Sequence, residues 1–175
     1  EFSDLHEYFK NHNEALKSIV GKGDPWVFLC GSVTIEYLAK ICFNKGEIYV
    51  KFIKQYMSKV DHRYVYFKFK NGKSDLPDQM YYVLRNGLVH TFTLKPLNNN
   101  GNGRTNSIVL SHVDLHLTCD TTDSNRDSCV FNAKQFINDL GKAIDFVFEK
   151  VKSDLDLQKK MENHFSKYPP VTAFK

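Results

Sequence analysis

Hydrophobic positions along the chain repeat mostly at helical spacing, and that pattern predicts a mainly α protein. From Ser3 to Val20 the apolar residues Leu5, Tyr8, Phe9, Leu16 and Ile19 fall on one stripe, with Ser3 placed to cap an amphipathic helix. Gly21 to Pro25 breaks it. Trp26 to Phe43 is apolar nearly all round, which predicts a central helix. Glu36 lies inside that apolar run and therefore calls for a partner on a neighbouring helix or for a functional role. After Asn44-Lys45-Gly46, residues Glu47 to Val60 give a third helix on Tyr49, Phe52, Ile53 and Met57. A fourth begins near Asp75-Leu76-Pro77, where proline suits the first helical turn, and carries Tyr81, Leu84, Leu88 and Phe92 on one stripe. Near the end, Phe136, Leu140, Ala143, Val147 and Val151 repeat regularly. That helix is predicted to run to about His164, opened by an Asn132–Gln135 capping box and a Phe131–Phe136 staple.

Two segments alternate with a period of two instead. Arg63 to Lys70 reads as a strand with Val65, Phe67 and Phe69 on one side, or else as a short helical continuation. Ser107 to Thr118 alternates with a change of phase, which predicts a β-hairpin whose return strand lies near Ser128 to Phe131. The expected architecture is a single domain over 1–175, a bundle of four to five helices with a small β-hairpin insertion at about 94–131.

Composition narrows the class without deciding it. The 175 residues are 42% hydrophobic and 25% charged, values of a globular chain with a substantial core. A net charge of +4 permits a polyanionic partner without demanding one. No stretch approaches the length of a membrane span, no secretory signal is recognisable, and the cytoplasm is the default location. No glycine-rich phosphate loop follows a strand, so kinase and dinucleotide-binding signatures are absent. The four cysteines contain no C-x-x-C. Cys30 and Cys42 would stand about 18 Å apart along one helix, whereas Cys119 and Cys129 flank a polar loop and can bridge if their segments pair. His112, Asp114 and His116 share a strand face, but the two histidines would be roughly 13 Å apart, too far to share an ion. No metal site or cofactor is expected.

The candidate chemistry sits on the fourth helix, at Arg85-Asn86-Gly87-Leu88-Val89-His90. A permanently charged, planar guanidinium suits a phosphate, and an imidazole titrates near neutrality. In a straight α-helix Arg85 would lie about 140° round from His90, so one regular helix does not aim both at one atom. Gly87 costs stability in a helix interior and suggests a close backbone approach, expected here at a two-fold interface. Upstream, Arg63, Lys68, Lys70 and Lys73 are interleaved with aromatics, which suits stacked bases and phosphates. It equally suits a core strip with a solvated edge. Arg104, in the polar loop after Pro96, could reach a bound anion.

Arg85-Asn86-x-x-x-His90 resembles the Arg-polar-x-x-x-His signature of the HEPN superfamily (higher eukaryotes and prokaryotes nucleotide-binding domains). These are small helical domains, many of them metal-independent ribonucleases of toxin–antitoxin, CRISPR and other defence systems. The resemblance implies Arg85 as phosphate clamp, Asn86 as orienting group and His90 as acid/base, working in a homodimer without cofactor. It implies RNA or a nucleotide as ligand and an antitoxin or nucleotidyltransferase as partner. Two other classes remain open: a non-catalytic module of the same fold binding nucleotide, RNA or protein, and a structural helical domain.

Overall fold

The computed structural model describes residues 2–22, 24–67, 75–91, 94, 97–98, 105–111 and 114–169. The chain is mainly helical with one small sheet. Seven helices lie among the described residues, more than the four to five expected. These are α1 (Phe2–Ser18), α2 (Asp24–Cys42), α3 (48–60), α4 (Arg63–Tyr66), α5 (76–91), α6 (Ala133–Ser153) and α7 (Leu155–Lys167). Helix α3 contains a π-helical stretch at Ile53–Met57, and α5 a longer one at Met80–Gly87.

The extra helices have local causes. The predicted final helix is divided at Asp154, whose extended backbone (φ −115°, ψ 95°) stops α6. Its carboxylate accepts from the Leu157 N–H at 3.0 Å and so starts α7. Of the two readings open for 63–70, a strand or a short helical continuation, Arg63–Tyr66 adopts the helical one, and residues 68–70 lie outside the described residues. Asp61 holds that turn by accepting from the Arg63 backbone N–H at 2.9 Å. Ser3 is inside α1 rather than its cap.

Helix α2 is central, as its all-round apolarity predicts. Val27, Phe28, Ile35, Leu38 and Ala39 are fully buried, and α1, α3, α5, α6 and α7 all pack against it. At Gly31 a Cβ would stand 2.6 Å from the Phe136 ring, so the α2–α6 crossing admits only glycine without repacking. Phe131 and Phe136 meet edge to face at 6.4 Å, the predicted staple. Asn132 does cap α6, accepting from the Gln135 N–H at 3.0 Å. The reciprocal half of a capping box is missing, because the Asn132 N–H donates to His116 Nδ1 instead of to Gln135.

The sheet has the order β1-β2-β4-β3, with β1 Leu97–Asn98, β2 Thr105–Ser111, β3 Thr118–Asp120 and β4 Arg126–Asn132. The single long hairpin strand expected over Ser107 to Thr118 is two strands. Its first part, β2, runs parallel to β4, whereas β3 and β4 form the antiparallel hairpin. The reversal leaves Leu117 with a left-handed backbone (φ 53°), uncommon for a branched side chain. That turn carries His116 into a buried polar cluster. The Tyr64 hydroxyl donates to Asp139 at 3.0 Å and lies 3.1 Å from His116 Nε2, while His116 Nδ1 accepts from the Asn132 N–H at 3.1 Å. Asp139 and His116 are 1% and 6% exposed. The cluster ties α4, α6 and the start of β3 together.

Candidate functional site

Helix α5 starts on a capping box. Asp75 accepts from the Asp78 N–H and Asp78 from the Asp75 N–H, both at 3.2 Å. Lys54 of α3 pairs with Asp75 at 2.7 Å and anchors that end. From Met80 to Gly87 the backbone is π-helical. Its i→i+5 hydrogen bonds bring residues five apart nearly one above the other, where an α-helix would set them on different faces. The buried set is Met80, Val83, Leu84, Gly87 and Leu88, with Tyr81 only half-buried. Phe92, predicted on the same stripe, lies outside the described residues.

The motif side chains meet within one chain. Arg85 Nη1 donates to Asn86 Oδ1 at 2.9 Å and lies 3.4 Å from His90 Nε2. An ideal α-helix would set Arg85 and His90 about 140° apart, and the long Arg85 side chain, on the π stretch, spans to His90 on the α turn that follows it. Arginine has no acceptor, so in this contact Nε2 of His90 accepts and the ring proton sits on Nδ1. His90 is exposed, whereas Arg85 and Asn86 are half-buried. Gly87 is buried.

Glu36 is the residue that completes the cluster. Arg85 Nε donates to Glu36 Oε2 at 2.5 Å, and Lys40, one turn further along α2, lies 3.3 Å from Glu36 Oε1. A carboxylate in an apolar helix signals a partner, and the partner is the motif arginine. Burial works to raise the Glu36 carboxyl, but the hydrogen bond and charge of Arg85, with Lys40, outweigh it and hold it below its ordinary value of 4.5. The folded state thus favours ionised Glu36. Its contribution to stability is fully present above the ordinary value and is lost as pH falls through the lowered one. Glu36→Gln is expected to be less stable than the parent at about pH 7, with the gap closing below about pH 4. Urea unfolding of both proteins across that range checks this, and a gap independent of pH would contradict it.

Among the described residues, no partner occupies Arg85 Nη2, so the guanidinium keeps one nitrogen for an anion. Beside Glu36 opens a cleft of about 360 Å³ lined by Glu47, Tyr49, Asp78, Tyr81 and Tyr82. Tyr82 is 48% exposed there and offers an aromatic face. On the other side, an apolar groove of about 520 Å³ includes Leu29, Val33, Tyr37 and Val89, the last adjoining His90.

Of the proposed RNA-contacting cations, the described one, Arg63, is engaged elsewhere. Each Arg63 nitrogen already donates, Nε and Nη2 to Asp61 and Nη1 to the His116 carbonyl at 2.9 Å. Arg63 therefore serves the Tyr64–His116–Asp139 cluster. Lys68, Lys70, Lys73 and Arg104 lie outside the described residues, as does His112. His116 has both ring nitrogens engaged by protein. No group of three or more His, Cys, Asp or Glu side chains suited to a metal ion, and no helix long and apolar enough to cross a membrane, occurs among the described residues. No protein-family model, curated protein or solved structure matches the chain.

Proposed function

We propose that this chain is a metal-independent endoribonuclease of the HEPN type, cytoplasmic and acting in a toxin–antitoxin or other defence setting. The observation that carries the reading is the contact of the Arg85 guanidinium with the Asn86 and His90 side chains. In the reaction the ribose 2′-oxygen attacks phosphorus, the bond to the 5′-oxygen breaks, and a 2′,3′-cyclic phosphate forms. His90 takes the 2′-hydroxyl proton on Nε2, which exchanges its Arg85 N–H for the substrate hydroxyl as RNA binds. Arg85 Nη2 binds a non-bridging phosphate oxygen, and Asn86 keeps the guanidinium oriented. The leaving 5′-oxygen needs a proton from a second acid. A second copy of His90 supplies it if two chains face one another, with the apolar groove beside Val89 as contact surface. Val33 and Val89, exposed by 48% and 40%, give that surface its apolar character.

The test is cleavage of single-stranded RNA by the purified chain in excess chelator. Cleavage with cyclic-phosphate ends is expected. Activity lost in chelator and restored by a divalent ion would overturn the mechanism. One observation favours a second reading. Glu36 already neutralises Arg85, so a phosphate must compete for it. A non-catalytic module holding a nucleotide, RNA or partner protein at the same residues would bind without turnover.

A further inference from the structure

Cys119 and Cys129 occupy facing positions on β3 and β4. Facing residues of an antiparallel pair have Cα atoms about 4.5–5.5 Å apart, inside the span of a disulfide. The Cys119 thiol donates to Cys129 Sγ, and both residues are free thiols. Cys119 is half-buried and reachable, whereas Cys129 is fully buried. We propose that this pair is a thiol–disulfide exchange site for low-molecular-weight disulfides such as glutathione disulfide. The proposal stands independently of the ribonuclease reading.

The order of events follows from the two environments. Cys119, as thiolate, attacks one sulfur of the small disulfide. A protein–glutathione S–S bond forms, and one glutathione leaves as thiolate and takes up a proton. Cys129 then loses its proton and attacks Cys119 Sγ, forming the intrachain S–S bond and expelling the second glutathione. The protein dithiol is oxidised by two electrons, and one glutathione disulfide becomes two thiols. Cys129 is fully buried and Cys119 only half-buried, so a small disulfide reaches Cys119 first. The product closes the 121–125 turn covalently and fixes the register of a strand only three residues long. The residues just before that strand hold the buried cluster: the His116 carbonyl accepts from Arg63 and its ring meets Tyr64. Oxidation therefore stiffens the attachment of the hairpin to α4 and α6.

The full chain is incubated with glutathione disulfide, quenched with a maleimide and analysed by intact mass and peptide mapping. The expected product lacks two maleimide adducts, carries a Cys119–Cys129 link, and reverts with dithiothreitol. Its thermal midpoint should rise by roughly 5–10 °C. Cys129→Ser should retain glutathione on Cys119, and Cys119→Ser should leave Cys129 unmodified. Four maleimide adducts after equilibration, a stable glutathione adduct in the wild type, or a link involving Cys30 or Cys42 would each overturn the proposal. The wild-type mapping decides the question even if a serine variant fails to fold.

Discussion

Arg85→Ala and His90→Ala are each expected to lower RNA cleavage by at least about 100-fold, with secondary structure retained. Arg85 contributes charge at the phosphate and also the donor that holds His90 Nε2 as an acceptor. Removing it should damage both functions, so the double variant should be scarcely worse than either single one. Circular dichroism and denaturant midpoints establish folding, and single-turnover rates on labelled RNA measure the loss. A purified heterodimer of the two variants separates two site designs. If catalysis needs only the intrachain Arg85–His90 contact, no subunit of the heterodimer has both groups and it stays inactive. If one groove pools residues from two chains, one arginine and one histidine remain and activity returns in part. Unchanged cleavage in both single variants would remove the ribonuclease reading altogether.

The largest loss of stability is expected at the other polar cluster. Asp139 accepts from Tyr64 and Gln135, and its Oδ2 lies 3.3 Å from His116 Nε2. Tyr64, His116 and Asp139 lie in the interior whereas Gln135 is exposed, so Asp139→Ala leaves the buried donors of Tyr64 and His116 without that acceptor. The cost should be about 3–5 kcal/mol. Tyr64→Phe removes one donor and keeps the ring packed on Phe131, so it should cost less, about 1–3 kcal/mol. Urea unfolding of the three proteins ranks them. An Asp139→Ala variant within about 1 kcal/mol of the parent would show that the cluster contributes specificity instead of stability.

How much of this could be read from residues alone depends on how local each cause is. The centrality of α2, the Asp75 cap, the Asn132 cap and the Phe131–Phe136 staple all rest on neighbours within a few residues, and each was legible. The break at Asp154 had a signal too, since Ser153-Asp154 precedes Leu155 as Ser3-Asp4 precedes Leu5. Continuing apolar spacing outweighed it. The parallel pairing of β2 with β4 was not legible, because alternation reports a half-buried strand and not the direction of its partner. For Glu36 the need for a partner could be read, but not that Arg85, 49 positions away, would meet it. The π stretch of α5 has no compositional mark. Its residues are those of an ordinary amphipathic helix, and only the packed chain reveals how they are wound.

That winding makes the candidate site a property of chain length as well as of residue identity. A π stretch is a helix with surplus residue in its turn, and removing one position between Met80 and Gly87 would let the segment relax to ordinary α winding. Every side chain named in the motif could survive such a deletion, yet the change from π to α winding would alter the angles between residues inside the stretch, Arg85 among them, and those outside it. Arg85 would then part from Glu36 or from His90, according to where the cut fell. Exchanging residues one at a time would leave this dependence unseen. For descendants of this sequence, tolerance of substitution and tolerance of deletion in α5 are therefore separate traits.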